Sequence, residues 1–144
     1  NKPPLPFSKF ILTNSQGAKN IIIDTTIKLN MIVLWASWCG PCRLEIPELK
    51  YFQNKYEKKG LHISSISINE NVSVWRNTLR KEQMKWEQFI VSDYQLDTIK
   101  NRFDISAIPI IVFANNKGEE ITRFNGFNEA EKKDIGDTIE KYIQ

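Results

Sequence analysis

Cys39 and Cys42 are the only cysteines in a chain of 144 residues, and two positions separate them. A pair so spaced can form a structural bridge, half of a metal site, or a redox dithiol. A bridge closing so short a loop takes little freedom from the unfolded chain, so as a staple it would do little. Zinc asks for about four ligands, and beyond the pair the chain offers one histidine, His62. Exchange chemistry accounts for the placement. Trp38-Cys39-Gly40-Pro41-Cys42 stands between an apolar run and a helical pattern. The attacking species is a thiolate, and a free cysteine with a pKa of about 8.5 is mostly protonated at neutral pH. The unpaired N–H groups at a helix start favour the anion. Cys39 is therefore expected to be the nucleophile and Cys42, one turn further in, the resolving thiol. Pro41 fits the first helical turn, where no N–H partner is lost.

The elements that must position this pair follow from the pattern on either side. Residues 1–6 carry three prolines and read as an extended arm. Residues 7–13 and 20–26 are β-rich with Asn14, Ser15 and Gly17 between them, predicting a hairpin. Residues 31–36 form a continuous apolar run, as suits a strand covered on both faces. Cys42, Ile46, Leu49, Phe52 and Tyr56 make one helical stripe over 42–58, kinked at Pro47 and stopped by Gly60. Residues 61–68 give a second strand, and a strand-helix-strand order implies parallel pairing with a right-handed crossover. Further helices are expected around Val72, Trp75 and Leu79 and around Leu96, Ile99 and Phe103, with a short strand at 89–91. The chain then changes to an antiparallel pair, 110–114 and 119–124, joined by a turn at 115–118. Asn128 caps a last helix that buries Ile135, Ile139 and Ile143. The fold class is α/β, a mixed central sheet with helices on both faces, laid out as a single domain over 1–144.

Composition removes other classes. With 41% hydrophobic and 26% charged residues the chain reads as globular, and a formal net charge of +3 with lysines scattered among acids leaves no basic stripe for nucleic acid. The longest apolar stretches, 31–36 and 108–114, fall far short of the ~18 residues of a membrane span. No basic-then-apolar leader opens the chain. A start at Asn1 instead of Met suggests a processed fragment from which an export signal or further domain has been removed.

The segment Leu34-Trp-Ala-Ser-Trp-Cys-Gly-Pro-Cys-Arg-Leu-Glu-Ile-Pro-Glu-Leu49 resembles the active-site strand and helix of the thioredoxin superfamily, and within it the TlpA/ResA-like extracytoplasmic oxidoreductases. Ser106-Ala-Ile-Pro109-Ile resembles that superfamily's cis-proline loop. The resemblance runs over nearly the whole chain, with the N-terminal hairpin and an insertion after the second core strand, about 72–91, as elaborations. It implies a thioredoxin-like fold and a thiol-disulfide oxidoreductase that exchanges electrons with protein disulfides. Gly40-Pro41 is the pair found in reducing members, so the implied direction is donation to oxidised clients, fed by an upstream dithiol donor. No cofactor is implied beyond the redox-active Cys39–Cys42 disulfide. The implied setting is the periplasm or a membrane surface, with cytochrome c maturation as one process of this type.

Residue by residue, the resemblance puts a cis bond at Ile108–Pro109, facing the dithiol, with the Ile108 backbone pairing with the client chain. A proline opening a strand is also reasonable by itself, since it gives up one ladder donor at a place where a tight loop must pass close by. Trp38, Gly40 and Pro41 would form the rim that meets clients, whereas Trp35 belongs to the core. Thioredoxin proper has a buried aspartate where this chain has Val33. The TlpA/ResA-like proteins carry a glutamate after the second cysteine instead, and Glu45 stands there, able to take and return the Cys42 proton. If charged, it would also raise the cysteine pKa values by repulsion. Gly126 resembles a family glycine that lets backbone approach the site, and serves equally as a turn residue. His62 reads as structural. A peroxidase of the peroxiredoxin type would want a hydroxyl three positions before its cysteine, where Ala36 stands. A noncatalytic interaction module on the same fold is the other alternative.

Overall fold

Two β-rich segments flanking turn-forming residues predict two N-terminal strands, and the structure, a computed structural model describing residues 5–68 and 70–144, forms them shorter than expected. β1 (Ile11–Asn14) pairs antiparallel with β2 (Lys19–Ile21). Phe7–Lys9 makes a 3-10 turn in place of strand. Phe7 stacks on Phe103 at 4.6 Å between ring centroids, and its N–H donates to the Gly118 carbonyl at 2.8 Å, so the chain must turn here. Residues 22–26 also leave the expected strand; at its far end the Asp24 carboxylate accepts from the N–H and hydroxyl of Thr26, a local turn that competes with the ladder. Of the expected arm, residues 1–4 lie outside the described residues.

β3 (Leu29–Trp35) is buried at every position. In place of one kinked helix over 42–58 the chain forms two, α1 (Gly40–Leu44) and α2 (Ile46–Tyr56). Pro47 has no N–H to give the Arg43 carbonyl. The Glu45 N–H turns back to that oxygen instead, so the break falls two residues ahead of the proline. After a 3-10 turn at Glu57–Lys59, Gly60 leaves the helix at φ +112°, where a side chain would be strained. β4 (Leu61–Ser67), α3 (Val72–Glu82) and β5 (Glu87–Ile90) follow, with β4 parallel to both β3 and β5. Then come α4 (Leu96–Phe103), the antiparallel pair β6 (Ile110–Ala114) and β7 (Glu120–Asn125), and α5 (Glu129–Tyr142). The Asn128 side chain accepts from the Glu131 N–H at 2.9 Å, capping α5 as expected.

The seven strands form one mixed sheet in the order β2-β1-β5-β4-β3-β6-β7. Period-two alternation along β3 sends Ile32 and Leu34 to one face and Met31 and Val33 to the other. The first pair packs with Ile99 and Phe103 of α4 and with Phe7. The second packs with Leu49, Phe52, Ile135 and Ile139 of α2 and α5. Both faces are covered, so the C-terminal end of β3 is held rigidly where it opens into the dithiol loop.

Candidate active site

Beyond β3 the chain reverses through Ala36-Ser37-Trp38, and Cys39 becomes the N-cap of α1 in extended backbone geometry. Its Sγ accepts the Cys42 N–H at 3.2 Å, one of the orphan donors of a helix start. The two sulfurs are joined as a disulfide across a Cα–Cα distance of 5.3 Å. Cys39 is 6% exposed and Cys42 1%, and the two differ more in direction than in depth. Cys39 lines an open groove of about 520 Å³ together with Trp38, Gly40, Pro41 and Ile108, whereas Cys42 does not reach it. Behind the disulfide stand Trp35, Ala36, Trp75 and Ile90. No cationic side chain among the described residues hydrogen-bonds either sulfur.

The expected neighbours meet at this groove. Trp38 is 60% exposed at its rim, and a Cβ built on Gly40 would meet nothing within 4 Å, so the surface at Gly40 is open. The Ile108–Pro109 bond is cis, and the Ile108 carbonyl oxygen lies 4.0 Å from Cys39 Sγ. Among the described residues, the backbone groups of Ser106, Ala107 and Ile108 make no hydrogen bond to backbone elsewhere in the chain. An extended polypeptide laid here would find unpaired main-chain partners next to the sulfur.

Glu45 is not the charged helix residue considered from the sequence. It sits at the junction of α1 and α2, only 1% exposed, with both carboxylate oxygens lacking hydrogen-bond partners. Burial alone pushes its pKa up from an ordinary 4.5 to about 8, because removing an ion from water disfavours the charged form. The side chain is therefore a neutral acid at pH 7, and repulsion between its charge and a thiolate begins only as it ionises. A cleft of about 300 Å³ leads toward it between Pro41, Pro109, Gly126 and Phe127. Gly126 adopts φ +124° there. The burial of Glu45 has a sequence signal: Cys42, Glu45, Ile46 and Leu49 stand at i, i+3, i+4 and i+7, so an acid lies on the inward stripe.

Two neighbours went unnoticed in the sequence. The Glu70 carboxylate accepts from the Ser37 N–H at 3.2 Å and from the Ser67 hydroxyl, tying the end of β4 to the loop just before Cys39. Thirty-three positions separate Glu70 from Ser37, and nothing local marks the pairing. Trp75 of α3, fully buried, packs against the disulfide; its stripe position predicts burial but not its neighbour. His62 lies at the other end of β4, paired in register with Asn30. Burial pushes its pKa down against the pull of Asp24, Glu87 and Glu57, leaving it neutral and remote from the chemistry. Val33 is core, packed under α2 and α5. No cluster of three or more metal-ligating side chains occurs among the described residues.

A sequence model of the family described as thioredoxin-like matches residues 27–120. Among curated proteins, the chain is similar to the thiol-disulfide oxidoreductase ResA of Bacillus cereus, 23% identical over 135 residues that make up 94% of this chain and 73% of that protein. Among solved structures, the thioredoxin domain of a thiol-disulfide oxidoreductase from Bacteroides vulgatus superimposes with a TM-score of 0.84 at 18% identity, covering 100% of both chains. A thiol:disulfide interchange protein from a Bacteroides species gives a TM-score of 0.79 at 20% identity over 96% of this chain and 89% of that one. At these identities the structural likeness carries the fold.

Proposed function

Because this chain belongs to the thioredoxin-like family and is a thiol-disulfide oxidoreductase, we propose that it works as a reductant of protein disulfides through Cys39 and Cys42. The Cys39 thiolate attacks one sulfur of a client disulfide, and the client's other sulfur leaves as a thiolate. Cys42, deprotonated, then attacks Cys39 Sγ; the client sulfur bonded to Cys39 leaves with its electron pair and takes up a proton, and the internal disulfide remains. Two electrons pass to the client. The carriers are the two sulfurs themselves, with no further cofactor, and an upstream dithiol restores them.

The observation that carries the direction is the apolar surround of the pair. A dithiol becomes oxidising when its reduced form is stabilised, usually by cations or several donors at the thiolate. Here Trp35, Trp75, Ile90 and Ile108 enclose the sulfurs, and the described hydrogen bond to Cys39 Sγ is one backbone N–H. Glu45, three residues beyond Cys42 and uncharged at pH 7, is the proton carrier for Cys42, and on ionising it would disfavour the thiolate by like-charge repulsion. With the helix start as the described support for the Cys39 thiolate and no cation hydrogen-bonded to either sulfur among the described residues, the site lacks the strong stabilisation of the reduced form that makes a dithiol oxidising.

The setting we infer is extracytoplasmic, where protein disulfides persist and need reducing. The similarity to ResA supports that reading, and reduction of client cysteines before cytochrome c assembly is one process it would serve. No helix among the described residues is long and apolar enough to cross a membrane. Equilibration with glutathione buffers of graded ratio tests the direction. The expected potential lies below about −220 mV, nearer the roughly −270 mV of thioredoxin; a value above about −150 mV would make the protein an oxidant instead.

A further inference from the structure

Among the described residues, the groove beside Cys39 has one charged residue in its lining. Trp38, Ile68, Ile105 and Ile108 supply apolar walls, and Lys100 projects from the last turn of α4. Lys100 is half-buried. It has no carboxylate within ion-pair distance among the described residues, although Asp97 and Asp104 stand three and four positions away on its own segment. Other cations near the site are engaged: Arg43 pairs with Glu82 at 3.1 Å and Lys132 with Glu129 at 3.1 Å. A cation held along an apolar wall gains more from a carboxylate laid in the groove than one in open water, because the local dielectric is lower.

We propose that the groove selects client segments carrying an acidic side chain within a few residues of the disulfide cysteine, with Lys100 as the residue that reads it. The proposal rests on the reductant reading above, since it places the client's cysteine over Cys39. An extended segment paired with the free backbone at Ser106–Ile108 advances about 3.3 Å per residue and turns alternate side chains to the same wall. With the client cysteine at Cys39, side chains two positions away lie along Ile105 and Lys100. Aliphatic side chains suit Trp38 and Ile68, and an aspartate or glutamate reaches the ammonium. A lysine at that position would set two cations against each other, so the groove discriminates by repulsion as well as attraction. The step is recognition only and leaves the electron balance of exchange unchanged.

The test uses two disulfide-bridged peptides, identical except that the positions two residues from each cysteine are Glu in one and Lys in the other. Both are offered to the reduced full chain at low ionic strength, with hydroxyethyl disulfide as an uncharged reference. The wild-type protein is expected to reduce the Glu peptide with a single-turnover second-order rate constant about two- to fivefold higher, the range a half-exposed ion pair supports. Lys100→Glu should invert that ratio. Lys81→Glu, which changes net charge equally but lies outside the groove on α3, should keep it. Raising the salt to about 1 M should bring the wild-type ratio toward one. Equal ratios for Lys100→Glu and Lys81→Glu would overturn the proposal, since the preference would then be a property of net charge. Failure to reduce hydroxyethyl disulfide at all would remove the reductant reading and this proposal together.

Discussion

Cys42→Ser is expected to convert the protein into a trap that accumulates client proteins as mixed disulfides through Cys39. Cys39→Ser should trap almost none, and both should lose turnover to the uncatalysed background. The asymmetry follows from direction. Cys39 opens onto the groove beside Trp38 and Ile108, and Cys42 lies behind it at 1% exposure, away from the groove. A client sulfur can approach the first and not the second. In the Cys42→Ser variant the mixed disulfide forms but no thiolate is left to attack Cys39 Sγ, so the client stays attached. In the Cys39→Ser variant the remaining thiol is inaccessible. Diagonal gels, non-reducing and then reducing, read this directly, and equal trapping by both variants would reverse or abolish the assignment of roles.

Glu45→Gln should change the dependence of stability on pH by an amount comparable with a large core effect. In the folded oxidised protein the carboxyl keeps its proton up to about pH 8, while in the unfolded chain it loses it near 4.5. Between those values the folded state holds one more proton than the unfolded state, so stability falls as pH rises, by about 1.4 kcal/mol per pH unit. The contribution is fully present below the unfolded value and lost as pH climbs through the folded one. Over the window this comes to a few kcal/mol. The glutamine keeps the volume but has no proton to lose, so its denaturation midpoint should lack the decline that Glu45 gives the wild type between pH 5 and 8, while both proteins keep the rise that the buried, neutral His62 contributes as pH climbs toward 6.5. In the reduced protein the thiol and the acid titrate as a coupled pair. Thiol alkylation against pH should therefore rise earlier in the variant, because the wild-type glutamate adds a like charge as it ionises. Parallel denaturation series and superimposable alkylation curves would mean Glu45 takes no part in the proton transfers.

How much of this was readable beforehand depends on whether the cause is local. The apolar run of β3, the stripe of α2, Gly60 and the Asn128 cap each act within one turn or one strand, and each stands where its pattern puts it. The strand expected from Phe7 failed because a distant ring, Phe103, captured the side chain. The split at Glu45 came from Pro47, but its place two residues earlier was set by which N–H could reach the Arg43 carbonyl. The dithiol and Pro109 were legible from motif and resemblance, and the structure brings them to one groove. Glu45 was legible as a candidate, yet its protonation state required knowing that no donor reaches it. Glu70 and Lys100 matter through loops and helices brought together by the sheet, and no spacing in the chain announces either.

The central claim is that two electrons leave this dithiol for a client disulfide, and a thiol count tests it most directly. Reduced protein is mixed without oxygen with one equivalent of a disulfide-bonded client, quenched with an alkylating agent, and both chains are weighed by intact mass spectrometry. The expected result is reciprocal: Cys39 and Cys42 lose both alkylatable thiols for each disulfide opened in the client, with mixed disulfide to Cys39 as the early species. An untouched client, or one reduced while both thiols on this chain remain alkylatable, would contradict the account.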